Sequence, residues 1–304
     1  MNTGALSTKK QTLTVVTKNL EIKGRSLWKD ALRRLARNKA AVTSCLVLLF
    51  VSLVVLCAPW IVSFDMEETD WGNMAQAPSF STKHYFGTDD LGRDVFARTL
   101  FGGRMSLLIG IVSSFVSVVI GIFYGATSGF FGGKVDAVMM RFVDVVYSLP
   151  FMFFIILLTT FFGHNIFLIF IAIGAVNWLD MARIVRGQTL TLKRKEFIEA
   201  AHAGGVSTLQ IIARHIVPNV LGIVIVYVTL TIPGVILTES FLSFLGLGVQ
   251  EPATSWGVLI NDGAQSMTVT WWRLVFPAAV LVLTLFCFNF IGDGLRDALD
   301  PKDR

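Results

Sequence analysis

The stretch MSLLIGIVSSFVSVVIGIFYGATSGF, residues 105–130, carries no charged side chain over its whole length. As a helix it covers about 39 Å, more than the roughly 30 Å of hydrocarbon in a bilayer. Gly121, Gly125 and Gly129 recur every four residues within it and so share one helix face. In lipid, helices associate through packing rather than water exclusion, and a small-residue face admits a second helix at close range. The pattern leaves open whether that second helix belongs to this chain or to another membrane subunit.

The rest of the chain has the same character. Of its 304 residues 54% are hydrophobic and 15% charged, with 25 Phe and 7 Trp. A soluble domain carries roughly 25% charged residues, so the composition points to a membrane protein. Apolar runs long enough to span predict six helices: 41–64, 105–130, 142–162, 165–179, 220–237 and 274–291. The third is interrupted by Asp144 and the fourth is short. The expected fold is therefore an all-α integral membrane bundle.

Lys and Arg set the orientation, because short basic loops stay in the cytoplasm. With six spans, one side collects 21 of the 26 Lys and Arg residues and the other holds Lys83, Arg93, Arg98, Arg104 and Arg273. Both termini are predicted to be cytoplasmic. The first apolar run begins at residue 41 and ends in CAPWIVSF, which fits an uncleaved anchor better than a signal peptide. The net charge of +5 is then largely a topology signal and argues against nucleic acid as a partner.

The expected organisation is a cytoplasmic segment over 1–40, a first span over 41–64, an outer segment over 65–104, a core over 105–293 and a tail over 294–304. Residues 1–20 are polar and are expected to be mobile. GRSLWKDALRRLARNKAAV, residues 24–42, reads as an amphipathic basic helix suited to the inner headgroup layer. The outer segment contains HYFGTDDLGRDVFARTLFGGR, whose acids lack calcium-loop spacing and suit a structural or partner-contact loop. Asp144, Asp180 and Asp293 each have an Arg three residues away, at 141, 183 and 296, and are expected to pair along their own helices. Glu239 lies near a span end.

One polar interruption is more ordered than a plain loop. EFIEAAHAGGVSTLQIIARHIVPN, residues 196–219, reads as two short cytoplasmic helices around a turn. Gly204 and Gly205 break the first, Ser207 with Gln210 fits a capping box for the second, and Pro218 stops or kinks it. Small residues at 200, 201, 204 and 205 suit insertion into a partner's groove, and a solvated connecting hairpin is the alternative. The chain has no energy-converting motif: FFGGKV, residues 130–135, lacks the remaining residues of a phosphate loop. Cys45, Cys57 and Cys287 have no metal or redox spacing, and the four His are scattered, so no metal site is expected.

With these residues in view, EAAHAGG and HIVP together resemble the EAA motif of binding-protein-dependent ABC importer permeases. The match comprises Glu199, Ala200, Ala201, Gly205, Val217 and Pro218, with His215 and Val217 where the family usually has Ile and Leu. The outer segment, ESFLSFLGLGVQEPATSWG at 239–257 and FNFIGDGLRDALDPKDR at 288–304 resemble the C-type permeases of dipeptide, oligopeptide and nickel importers. The N-terminal basic stretch is similar to the oligopeptide branch.

The resemblance implies a type I importer permease fold of six spans whose residues 196–218 form a coupling region. It implies a homologous B-type permease, two cytoplasmic ATPase subunits that bind ATP and Mg, a periplasmic peptide-binding protein and a peptide substrate. The chain would sit in a bacterial inner membrane, form half of a translocation path, and carry no cofactor and no catalytic residue. The alternatives are the same role in a dipeptide or nickel importer, or a gradient-driven secondary transporter. The sequence does not identify the residues that line the path.

Overall fold

A computed structural model describes residues 27–163 and 166–299, and these residues contain helices and no strand beyond one isolated bridge between Thr88 and Asp94. The expectation for residues 1–20 lies outside the described residues, as does the end of the expected tail from residue 300 on. Helix α1 (Leu27–Leu35) is followed by a three-residue break, and Asn38 then caps α2 (Lys39–Leu56) by accepting the Ala41 amide at 3.2 Å. A short α3 (Ala58–Ile61) ends that span.

Helix α4 (Val95–Phe131) starts ten residues earlier than the uncharged run suggested. Its cap is Asp94, whose carboxylate accepts the Ala97 amide at 2.6 Å. Arg98 and Arg104, assigned above to the outer loop, are therefore helical, and the helix is about 55 Å long. Among the described residues four helical stretches are long and apolar enough to cross a membrane: Lys39–Leu56, Val95–Phe131, Thr208–Phe244 and Trp272–Leu299.

The third expected span, 142–162, is not one helix. Helix α5 (Gly133–Ser148) and α6 (Phe151–Phe162) are separated at Leu149 and Pro150, and α5 meets residues 151–158 at 79°. Pro150 has no amide hydrogen and disfavours helical geometry in the residue before it, and Leu149 is extended at φ −75°, ψ 135°. Counted as one crossing, this bent pair makes a fifth candidate span. The fourth expected span and much of the following loop form a single helix, α7 (Ile166–Leu192).

Helices α4 and α7 make the most extensive contact in the molecule. A Cβ on Gly121 would lie 2.5 Å from Met181 Cβ, one on Gly129 2.8 Å from the Arg186 carbonyl oxygen, and one on Gly125 would overlap the Ala182 carbonyl. The glycine face thus packs within the chain. At the Phe131 end of α4, Arg186 of α7 donates to both carboxylate oxygens of Asp136 on α5, at 2.5 and 2.6 Å, and Ser128 of α4 donates to the same group at 2.5 Å.

The ion pairs expected along helices form differently. Asp144 pairs with Arg183 across α5 and α7 at 2.9 Å, and Asp293 and Arg296 form no ion pair among the described residues. Glu239, on α10 (Val217–Phe244), is fully buried and accepts from Ser243 at 2.6 Å and Ser255 at 2.7 Å. Ser255 in turn caps α11 (Trp256–Gln265), which packs against α12 (Trp272–Leu299).

The outer segment folds into a tight cap. Asp89 is 2% exposed and accepts from the Leu91 and Arg93 amides, from Arg93 Nε at 2.7 Å and from Arg98 Nη1 at 2.6 Å. Burial alone would raise the Asp89 carboxyl, but hydrogen bonds from Arg93 and the charges of Arg98 and Arg93 outweigh it and hold the group below the usual carboxylate range. Arg93 also reaches Glu251 at 2.9 Å, Arg273 reaches Asp90 at 2.5 Å, and buried His84 bonds Asp94 at 2.8 Å. Asp89, Asp90 and Asp94 are thus committed to internal pairs, which is the structural reading of this part of the loop.

Candidate functional site

The ordered stretch 196–219 forms a hairpin seated on the ends of α4 and α7. Helix α8 (Glu196–Ala203) buries Ile198 against a cluster that includes Ile122, Ala126, Met181 and Val185. The turn after it is a Schellman motif: the Gly205 amide donates to His202 O at 3.0 Å and the Val206 amide to Ala201 O at 3.2 Å. Gly205 sits at φ +79°, where a side chain is strained, and a Cβ there would meet nothing within 4 Å. What this chain requires of Gly205 is its backbone conformation, not close packing.

The second half departs from the capping-box expectation, since the Ser207 side chain makes no cap hydrogen bond. Helix α9 (Thr208–Ile211) passes into a π turn over Ile212–Ile216 and then directly into α10. Pro218 cannot donate to a preceding carbonyl, and the Val217 amide bonds Ile212 O in the wider register. Asn219 Nδ2 bonds His215 O at 2.6 Å beside it. Pro218 therefore neither stops the helix nor leaves it regular. Ile211, Ile212 and Ile216 are buried in the same cluster as Ile198.

The six motif residues separate into two groups. Glu199, Ala200, Gly205 and Pro218 are exposed, whereas Ala201 and Val217 pack inward against the apolar cluster and hold the hairpin in place. The exposed face also presents Phe197, 45% exposed, and Leu209, 73% exposed, around Ala200, Ala203, Gly204 and Gly205. Large apolar side chains in water beside small ones suit a recessed partner surface. The Leu209 contribution and the Asp136–Arg186 clamp were not anticipated from the sequence. Leu209 is one apolar residue in an amphipathic run, and the clamp joins positions 50 residues apart.

The model of the family described as binding-protein-dependent transport system inner membrane component matches residues 117–304, and that of the N-terminal TM domain of oligopeptide transport permease C matches 26–78. The chain belongs to the binding-protein-dependent permease family. Over 94% of its length it is 62% identical to an oligopeptide transport system permease protein of Haemophilus influenzae, covering 92% of that protein. The Escherichia coli K12 protein of the same name is 62% identical over 97% of each chain. A dipeptide transport system permease protein of Bacillus subtilis is 44% identical over 92% of this permease and 87% of its own length.

Proposed function

We propose that the chain is the transmembrane permease subunit of an ATP-driven oligopeptide importer, with residues 196–218 as its coupling region. The observation that carries this reading is the exposed small-residue and apolar face of the hairpin, anchored on the clamped ends of α4, α5 and α7. A chain with no phosphate loop takes its energy from elsewhere, and a rigidly seated hairpin converts movement of a partner into movement of the spans. In this reading α7 and the bent α5–α6 pair complete six crossings, both termini lie in the cytoplasm of a bacterial cell, and the exposed apolar sides of the spans face lipid and a homologous permease.

Two cytoplasmic ATPase subunits would bind ATP and Mg and grip the hairpin through Phe197, Leu209 and the small residues. A periplasmic binding protein would deliver the peptide. The chain itself performs no chemistry and supplies half of the path. The 62% identity to oligopeptide permeases favours that substrate class over dipeptides or nickel. The test is peptide uptake into proteoliposomes holding this chain with its permease, ATPase and binding-protein partners. Uptake that requires ATP is expected; uptake driven by a proton gradient without ATP overturns the reading.

A further inference from the structure

The sequence paired Asp180 with Arg183, but the fold gives Arg183 elsewhere. Its guanidinium donates to Asp144 at 2.9 Å and lies over the Tyr147 ring at 4.5 Å. Asp180 is left with no ion pair and no hydrogen bond among the described residues, and it lines a cleft of about 500 Å³. The cleft forms where the break between α5 and α6 meets α7 and α10. Irregular backbone at membrane depth persists where it is buried in protein or lines a cavity, and an unpaired acid there marks a functional position.

Acceptors flank Asp180 on the cleft wall, together with the Tyr147 hydroxyl, which can donate as well as accept. Asn177, one turn before Asp180 on the same face of α7, commits one Nδ2 hydrogen to Ile173 O at 2.9 Å and keeps its Oδ1 acceptor and its second Nδ2 hydrogen. Thr238 of α10 donates its hydroxyl to Gly234 O at 2.8 Å and keeps acceptor capacity alone. Asp180 adds two carboxylate oxygens. Phe151 and Phe154 supply apolar wall. A carboxylate with no ion pair among the described residues, flanked by amide and hydroxyl acceptors in a cleft within the size range of small-molecule pockets, is complementary to a cation rich in hydrogen-bond donors.

We propose that this cleft is a cation-accepting station on the translocation path, in which Asp180, with Asn177 and Thr238, receives the α-ammonium group of a peptide. The assignment rests on the peptide-permease reading. One carboxylate without a covalent or bidentate partner holds a cation and also releases it, as a path requires.

The test uses the complete complex with Thr238→Cys, the unsubstituted complex giving the background from the native cysteines. A cationic trimethylammonium methanethiosulfonate is expected to label Cys at this position about tenfold faster than a neutral one, through local concentration by Asp180. Asp180→Asn should abolish the preference and Asp180→Glu should retain it. Tetra-alanine with a free amine should slow labelling, and its N-acetyl form should not. Equal rates for the two reagents, a preference that survives Asp180→Asn, or identical protection by both peptides overturns the assignment. So does loss of the homologous permease from Asp180→Asn complexes with the labelling ratio unmoved, which would place a subunit contact here. ATP-dependent tetra-alanine uptake by the wild-type complex separates the two levels: its absence defeats the permease reading, whereas its presence without these labelling differences defeats the station alone.

Discussion

The two ends of this molecule solve opposite problems. The outer cap is closed upon itself: Asp89 accepts four hydrogen bonds, two of them from Arg93 and Arg98 side chains, and the neighbouring acids are paired with His84 and Arg273. The 196–219 hairpin turns only one side inward, through Ile198, Ile211, Ile212 and Ile216, and leaves Phe197 and Leu209 in the open. Buried paired charges fix a shape, because any rearrangement strands an ion in a low-dielectric site. An exposed apolar face is completed only by another molecule. Substitutions in the cap should therefore register as lost stability, and substitutions on the hairpin as lost transport in a stable chain.

The largest stability effect is expected from Arg98→Met. The side chains of Arg98 and Asp89 are 4% and 3% exposed, and removing one member of a buried pair typically costs about 3–5 kcal/mol. Arg93 still faces Asp89, so about 3 kcal/mol is expected, read as a clear fall in the thermal midpoint of the detergent-purified protein. An unchanged midpoint would mean that the cap does not hold the outer ends of the spans together. Acid probes the same network. Asp89 has a depressed folded pKa, so its contribution is complete above the ordinary carboxylate range and is lost as pH falls through that depressed value. The wild-type midpoint should drop in acid, and the drop attributable to this group should be missing from Asp89→Asn, which has already lost it at neutral pH.

Gly205→Val lies between the extremes. The left-handed backbone at φ +79° costs a residue with a side chain roughly 1–2 kcal/mol, and no neighbour is displaced. A modest fall in the midpoint is expected together with near-complete loss of ATP-driven uptake, because the Schellman turn sets the angle of the exposed face. Full uptake in a variant with that stability loss would remove the turn from coupling.

The sequence was legible where one local rule governed. Gly121, Gly125 and Gly129 announced a close helix contact, and the hairpin followed from Gly204, Gly205 and Pro218. Pro150 carried the signal for the 79° bend, yet a long apolar run reads as a span whether it is straight or broken. The ion pairs failed for a different reason. Arg183 stands three residues from Asp180 in the chain, but α5 brings Asp144 within 2.9 Å of it, and a contact across helices has no sequence spacing to betray it. The same holds for Asp136 and Arg186, and for the split of the motif into inward Ala201 and Val217 and outward Glu199, Ala200, Gly205 and Pro218.

The smallest structural effect should accompany a large functional one. Leu209 is 73% exposed, so Leu209→Ser removes little packing from the isolated chain, and its stability should stay within about 0.5 kcal/mol of wild type. If the hairpin seats in a partner's groove, the same leucine becomes a buried anchor, and truncating such an anchor costs about 2 kcal/mol or more of binding, roughly thirtyfold. Co-purification of the ATPase subunits and ATP-driven uptake should therefore both fall steeply while the midpoint of the chain does not move. A parallel loss of stability would place Leu209 in the fold of the hairpin rather than at its interface, and unchanged assembly would show that the exposed face is not where the partner binds.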